Sequence, residues 1–424
     1  MEDLAARLTS ILGLIAVIAL AWAMSSNRRR FPWRVVILGV LLQFALAAMV
    51  LATPWGKSFF DQANQAVQGF QSFVEEGSSF VFGLWPNSAA QVGDNNNFLL
   101  SSFVFGVLPT VIVFSSLMAV LYHIGIMQLI VRSIAWVMQR TLGTSGPETL
   151  AAAANIFVGH TEAPLVVRPY LDRLSRSELN ALMVGGFATV TGGLLVTYAS
   201  VGAEAGHLVT ASVISGPAAL LIAKVMEPEE EGRVVETTLE LSQDQATPNV
   251  IGAASQGASD GLKLALNIAA MLIAFLALLA LADYCVGQLG AAIGFQNEAG
   301  EPTLSFTILL AYIFQPIAWL IGIPWDEALN AGKLLGVKVV ANEVVAYEQL
   351  GQMISSNQLS ERSINILTYA LCGFSNFSAI GIQVGGIGGL APNRKNEIAK
   401  LGLRAMIGGT FACLMTAAVA GIFL

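Results

Sequence analysis

Long apolar runs separated by short polar connections fill most of the chain. A helix needs about 20 apolar residues to cross the roughly 30 Å of hydrocarbon in a bilayer, and eight runs approach or exceed that length. The pattern therefore predicts an all-α membrane protein with eight transmembrane helices. The predicted spans are residues 8–26, 35–53, 100–124, 177–201, 207–226, 260–287, 361–386 and 403–424.

Composition supports placement in a membrane. Hydrophobic residues make up 55% of the 424 positions and charged residues 12%, which is about half the charged fraction of a soluble domain. A soluble core cannot bury this much apolar surface, so the chain is expected to lie in a bilayer. The net charge of −7 arises in the loops and says little about partners.

Basic residues predict how the spans are oriented. Arg28, Arg29, Arg30 and Arg34 follow the first span, and cytoplasmic loops carry an excess of such residues. The N-terminus is therefore expected on the outside. The short N-terminus and the compact loops favour a multi-pass protein of a bacterial inner membrane.

Two parts of the chain resemble each other. The segment "SIAWVM" (133–138) precedes "VGHTEAP", and "PIAWLI" (316–321) precedes "VVANEVV". Each unit is then followed by one further segment that reaches a Gly-Phe pair, and these two segments also resemble each other. The first unit enters from the outside and the second from the cytoplasm, which predicts an inverted repeat of the kind found in secondary transporters. The predicted divisions are N-terminal scaffold helices in 1–99, the first repeat in 100–226, an acidic cytoplasmic loop in 227–257 and the second repeat in 258–424.

Polar residues interrupt each repeat where the apolar arms are too short to span. In "AAAANIFVGHTEAPLVVRPYL" (151–171), a histidine, a threonine, a glutamate and a proline stand inside an apolar stretch. We interpret residues 147–171 and 325–352 as re-entrant helical hairpins, whose non-helical tips are tolerated only inside protein or beside a wet cavity. Glu162 and Glu343 at the tips are expected to mark a binding site, because a carboxylate facing lipid is costly.

Two further segments are predicted to lie along the membrane surface. Residues 55–85 combine apolar and polar faces, as interfacial helices do. Residues 304–323 are long enough to form a ninth span, but Gln315-Pro316 and the likeness to 126–143 favour an interfacial helix.

Three motifs resemble the signatures of a known family. "GHTEAP", "NEVVAY" and "CGFSNFSAIG" are similar, in the same order, to the GQTEAP, NEFVAY and GF-x-NF-SS-IG motifs of the concentrative nucleoside transporters, and the likeness extends over about 100–424. The resemblance implies a homotrimer of protomers with eight spans and two re-entrant hairpins. It also implies cation-driven nucleoside import, in which a transport domain moves like an elevator against a scaffold.

The resemblance also assigns roles to particular residues. It implies that the nucleobase meets the first hairpin tip at Gly159, His160, Thr161 and Glu162. It implies an apolar wall formed by Leu194 and Phe374, ribose binding by Glu343 and Asn376, and a sodium site built from Asn155, Val158, Thr189 and Val190. These roles suit the side chains, since a carboxylate accepts hydrogen bonds from vicinal hydroxyls and an aromatic face stacks on a flat base.

Three positions depart from the family motifs. His160 replaces a glutamine, and because imidazole changes charge near neutral pH, proton coupling stands as the alternative to sodium. Ala379 replaces a serine that contacts ribose in many members, and Val344 replaces a phenylalanine. These departures leave the base preference open.

Other functional classes fit the sequence less well. An intramembrane enzyme needs a nucleophile with a base or a metal cluster, and the sequence contains no HExxH and only three scattered histidines. A channel remains a second alternative, which saturable, concentrative uptake would exclude. The sequence thus favours a transporter over an enzyme.

Overall fold

The computed structural model describes residues 2–82, 108–200, 202–230, 247–297 and 301–424. Within these ranges the chain folds into sixteen α-helices, as the sequence predicts for an all-α protein. In chain order they are α1 Glu2–Ala23, α2 Trp33–Leu51, α3 Pro54–Phe82, α4 Leu108–His123, α5 Ile126–Leu142, α6 Gly146–Val166, α7 Arg176–Ala188, α8 Gly192–Ser200, α9 Ala205–Met226, α10 Val250–Ala292, α11 Phe306–Leu320, α12 Ala328–Val340, α13 Glu343–Ser355, α14 Glu361–Leu371, α15 Phe377–Leu390 and α16 Lys395–Phe423.

Six stretches of the described chain are helical, long and apolar enough to cross a membrane, and the pair α4 and α5, bent by 79°, makes a seventh if it is counted as one span. The six are Leu4–Ala23, Trp33–Leu51, Arg176–Ala199, Ala205–Met226, Val250–Ala292 and Pro392–Phe423. The chain is therefore an all-helical protein with apolar spans, and the count of eight stays a prediction.

Two predicted spans are interrupted. The span expected over 177–201 consists of α7 and α8, with residues 189–191 non-helical between them, and the one expected over 361–386 consists of α14 and α15, with a break at 372–376. A break of this kind exposes backbone groups that a continuous helix would satisfy. Both breaks lie among buried residues, where such groups need partners inside the protein.

The centre of the molecule is formed by α7, α9 and α16, which pack against one another, and α7 and α9 also pack against α6. Among them α9 is buried along nearly its whole length, which suits a helix surrounded by protein. In contrast, the 43-residue α10 is mostly exposed and packs chiefly against α4. At 1.5 Å per residue α10 is about 65 Å long, roughly twice the hydrocarbon thickness.

Helix starts follow sequence signals. Ser145 and Ser175 each precede a glutamate by three positions, and at the start of α6 and of α7 the serine N–H donates to the carboxylate of that glutamate. At α7, Glu178 N–H donates to Ser175 Oγ over 2.9 Å, and Ser175 N–H donates to the Glu178 carboxylate over 2.7 Å. These reciprocal bonds satisfy donors that a helix start leaves free.

The two segments predicted at the membrane surface are helical. Residues 54–82 form α3, and residues 306–320 form α11, which packs along α12. Of the other predicted segments, the start of the span 100–124 and most of the acidic loop 227–257 lie outside the described residues.

Candidate functional site

The first predicted hairpin corresponds to α6, whose two helical segments meet at a kink at Gly159. Gly159 has φ 72° and ψ −177°, a backbone conformation that glycine alone adopts readily. A Cβ at this position would lie 2.5 Å from Thr191 Cγ2. Glycine therefore permits both the turn and the close approach of the hairpin tip to the break between α7 and α8.

The break between α7 and α8 begins at Thr189, whose backbone is extended (φ −123°, ψ 168°). Its hydroxyl donates to the Gly185 carbonyl over 2.9 Å, and its own carbonyl accepts from the Phe374 N–H over 3.3 Å. The second contact joins this break to the break between α14 and α15. The two interrupted helices therefore meet in the interior through backbone atoms.

Asn155 lies on the first arm of α6 and is fully buried (0% exposed). Neither its amide oxygen nor its amide nitrogen has a hydrogen-bond partner among the described residues. Unpaired buried polar atoms are costly unless a ligand, ion or water satisfies them. The other predicted sodium ligands, Val158, Thr189 and Val190, are also buried, and this set offers amide, hydroxyl and carbonyl oxygens, which suit a hard cation.

The second predicted hairpin corresponds to α12 and α13, which Ala341 and Asn342 join. Asn342 caps α13, because its side-chain oxygen accepts from the Val345 N–H over 3.0 Å. Glu343 is the first residue of α13 and is 2% exposed. Its carboxylate therefore lies at the hairpin tip inside the protein.

The Glu343 carboxylate accepts a hydrogen bond at each oxygen. The Tyr198 hydroxyl donates to Oε1 over 3.1 Å, and Asn376 Nδ2 donates to Oε2 over 3.0 Å. Asn376 is the N-cap of α15, and its own oxygen accepts from the Ala379 N–H and the Ser378 hydroxyl. The predicted ribose pair, Glu343 and Asn376, is thus in direct contact.

His160 and Phe374 lie together where the first hairpin meets the break before α15. Their rings are edge to face, with centroids 4.5 Å apart and planes at 87°. His160 is 7% exposed, and its Nδ1 has no hydrogen-bond partner within the described ranges. Its Cβ lies against Gly186 of α7, where a side chain would not fit. An unpaired imidazole nitrogen beside an aromatic ring is suited to contact a polar, flat ligand.

The remaining predicted residues are less closely joined. Leu194 is buried on α8, and the side chain of Thr161 lies outside the part that the structure describes. Glu162 is half-buried at the start of the second segment of α6. No hydrogen bond or ion pair among the described residues joins Glu162 to Glu343.

Sequence reasoning missed Tyr198, although one signal was present. Tyr198 follows Leu194 by four positions on α8, so the two share a helix face. Because the tyrosine stands in an apolar segment, the sequence pattern predicts for it only a place in a spanning helix. Its hydroxyl is a donor that a buried site must use.

A buried ion pair at the other end of α6 was also missed. Lys224 Nζ lies 2.6 Å from the Glu148 carboxylate and 3.1 Å from that of Glu229, and it donates to the Ser177 hydroxyl over 3.0 Å. This cluster ties the start of the first hairpin to the end of α9. Its burial makes it a structural element of that end of the fold.

Comparison with protein-family models gives three matches. Residues 207–421 match the C-terminal model of Na⁺-dependent nucleoside transporters, residues 12–85 match the N-terminal model of the same group, and residues 104–205 match a model described as nucleoside recognition. The three matches follow one another along the chain. Together they include both hairpins and both interrupted helices.

Curated relatives match over nearly the whole chain. The chain is 43% identical over 418 residues to the uncharacterized transporter YutK of Bacillus subtilis, covering 98% of this chain and 99% of that protein. It is 40% identical over 430 residues to solute carrier family 28 member 3 of Mus musculus, covering 98% of this chain and 59% of the mouse protein. The chain thus spans about three-fifths of the mouse relative's length.

Solved structures share the fold. CNTnw in an inward-facing substrate-bound state matches with a TM-score of 0.89 and 39% identity, covering 98% of each chain. An outward-facing variant of CNTnw matches with a TM-score of 0.91 and 38% identity, covering 99% of this chain and 98% of that one. The likeness therefore extends to both states of that transporter.

Proposed function

Because the chain belongs to the concentrative nucleoside transporter family of Na⁺-dependent nucleoside transporters, we propose that it imports nucleosides by sodium-driven symport. The chain is a multi-pass membrane transporter and not an enzyme. The proposal adds the direction, the coupling ion and the residues. It includes eight spans, two re-entrant hairpins in an inverted repeat, and elevator-type alternating access, with the domain divisions set out above.

The sugar is proposed to bind Glu343 and Asn376. The carboxylate is buried at a hairpin tip and already oriented by two donors, and each carboxylate oxygen has a further lone pair for a ribose hydroxyl. A site of this kind rejects ligands that leave its buried polar groups unpaired. This contact, beside the His160–Phe374 ring pair, is the observation that carries the proposal.

The base is proposed to lie against the first hairpin tip and the α8 segment. The unpaired Nδ1 of His160 and the Phe374 ring supply one polar and one apolar contact. The residues assigned to the base are Gly159, His160, Thr161, Glu162, Leu194 and Phe374.

Sodium is proposed to bind between the first hairpin and the break after α7. The unpaired amide oxygen of Asn155 supports this location, as does the Thr189 hydroxyl, which donates to Gly185 and keeps its lone pairs for a cation. The carbonyls of Val158 and Val190 would complete the set. Interrupted helices supply cation ligands in this way in other transporters.

Uptake of uridine into proteoliposomes tests the proposal. An inward sodium gradient should drive accumulation above the external concentration, and replacing sodium with choline on both sides should abolish it. A panel of nucleosides measured in the same way would identify the preferred base. Absence of gradient-driven uptake for every nucleoside in the panel would refute the proposed function.

Proton coupling is the second candidate, because the titratable His160 replaces a glutamine of the family motif and its Nδ1 has no hydrogen-bond partner within the described residues. Uptake that follows an imposed pH gradient and ignores sodium would establish proton coupling. The His160→Gln variant restores the residue found in the family motif, so it should then lose the response to pH. An unchanged pH profile would exclude the imidazole from coupling.

Assembly and location complete the proposal. The long, exposed and apolar α10 provides a surface suited to contacts within a homotrimer. The protein is proposed to lie in a bacterial inner membrane with its N-terminus outside. Mass photometry in detergent would test the trimer.

A further inference from the structure

Tyr198 touches the proposed sugar-binding carboxylate from the opposite repeat. Its side chain is fully buried (0% exposed) and donates a hydrogen bond to Glu343 Oε1 over 3.1 Å. Tyr198 lies on α8, after the first hairpin, whereas Glu343 begins the second arm of the second hairpin. The hydroxyl therefore connects elements of the two predicted repeats at the site.

The Tyr198 ring is held in place by a second tyrosine. Its ring stacks on Tyr347 with centroids 4.2 Å apart and planes at 15°. Tyr347 lies one turn beyond Glu343 on α13, and its own hydroxyl donates to the Thr368 carbonyl over 2.6 Å. The stack leaves the Tyr198 hydroxyl little freedom, so it fixes the position of Glu343 Oε1.

The other carboxylate oxygen is fixed by an amide that cannot turn over. Asn376 Nδ2 donates to Glu343 Oε2, while the Asn376 oxygen accepts from the Ala379 N–H and the Ser378 hydroxyl. Rotating the amide would break both of these bonds. With one donor on each oxygen, the direction of the remaining lone pairs of Glu343 is set.

We propose that Tyr198 is a positioning residue for sugar recognition, which acts by orienting Glu343 toward the vicinal hydroxyls of a nucleoside. The inference rests on the proposed function. Leu194, proposed to contact the base, lies one turn earlier on the same helix, α8. A single short helix therefore fixes the base wall and the sugar carboxylate relative to each other.

The experiment compares the Tyr198→Phe variant with wild type on two ligands. Uridine has both vicinal hydroxyls, and 2′,3′-dideoxyuridine has neither. We expect the KM for uridine to rise about tenfold, equal to about 1.4 kcal/mol, with the maximal rate little changed. The KM for dideoxyuridine should change less, because that ligand does not use Glu343.

The matched control is Tyr347→Phe. It removes a hydroxyl from the same ring stack, but that hydroxyl bonds to Thr368 and not to Glu343. The ratio of the two KM values should therefore stay at the wild-type level. In a Glu343→Gln background, Tyr198→Phe should have little further effect on the ratio, because coupled residues lose additivity.

Three results would overturn the inference: equal weakening of both ligands, no weakening of either, or independent effects of the two substitutions. Each would leave Tyr198 as a packing residue. Failure of wild type to take up any nucleoside would instead refute the proposed function. If Tyr198→Phe elutes as an aggregate, the second variant is Tyr198→His, whose side chain is too short to reach Glu343. It should show the same loss of selectivity. An unchanged ratio of the two KM values would again overturn the inference.

Discussion

Replacing Glu343 with glutamine changes the charge of the proposed sugar-binding group while keeping its shape. In the structure both oxygens are occupied by donors, Tyr198 at Oε1 and Asn376 at Oε2. The Asn376 amide cannot turn over, so the glutamine oxygen must face Asn376 and its NH₂ must face the tyrosine. The hydroxyl of Tyr198 can rotate to accept, and the local contacts survive.

The substitution should therefore weaken substrate binding, because the sugar hydroxyls lose a charged hydrogen-bond acceptor. A hydrogen bond to a charged group is worth about 1.5–3 kcal/mol, so binding of uridine should weaken about 10- to 150-fold. Isothermal titration of the purified protein measures the change directly, and uptake into proteoliposomes should fall in parallel. The fold should persist, since no buried partner is left without a bond.

The control is Glu348→Gln, the same change on an exposed residue of the same helix, α13. It should leave the affinity for uridine unchanged. Wild-type affinity in Glu343→Gln would mean that the carboxylate does not bind the sugar, and the proposed site would have to be abandoned.

Three further substitutions test other parts of the structure. Thr189→Val removes one proposed sodium ligand of about 1 kcal/mol, so the sodium concentration for half-maximal uptake should rise about fivefold. Gly159→Ala places a Cβ against Thr191 in a glycine-only conformation, and scanning fluorimetry should show destabilisation of about 2 kcal/mol or more. Lys224→Met leaves Glu148 buried without its cation, which should cost about 3–5 kcal/mol by the same assay.

Each of these substitutions has a matched control. Thr197→Val removes a hydroxyl that donates to the carbonyl four residues earlier, as Thr189 does, but away from the break. Gly381→Ala adds a Cβ with open space around it, and Lys263→Met acts on an exposed lysine. An unaltered sodium titration for Thr189→Val would move the cation elsewhere, and wild-type stability in Gly159→Ala or Lys224→Met would contradict the contacts described.

The helix break at Gly159 and the helix start at Glu343 could be predicted from the sequence because their signals are local. A glycine, polar residues and a proline within six positions interrupt an apolar run around Glu162, and the Asn342 cap stands directly before Glu343. Breaks and caps depend on neighbours within a few residues. The helix breaks next to Glu162 and Glu343 are therefore predictable from the sequence, and the re-entrant course of the two segments stays a prediction.

Contacts between distant residues could not be predicted in the same way. The Tyr198–Glu343 bond joins residues 145 positions apart, and nothing in either segment indicates the other. The same holds for Lys224 and Glu148, and for Lys338, whose buried Nζ donates to the Ala370 carbonyl over 2.8 Å. Such pairs depend on how helices pack, which local patterns do not specify.

The backbone hydrogen bond from Phe374 to Thr189 has a mechanical consequence. The Thr189 carbonyl of one unwound segment accepts a hydrogen bond from the Phe374 N–H of the other. If either segment rewound or moved alone, this bond would break and leave a peptide group without a partner in the apolar interior. This bond therefore joins the proposed cation ligands and the proposed sugar ligands in one structural unit. Nucleoside and sodium would then move together, and a conformational change that separated their sites would first have to break the hydrogen bond between Phe374 and Thr189.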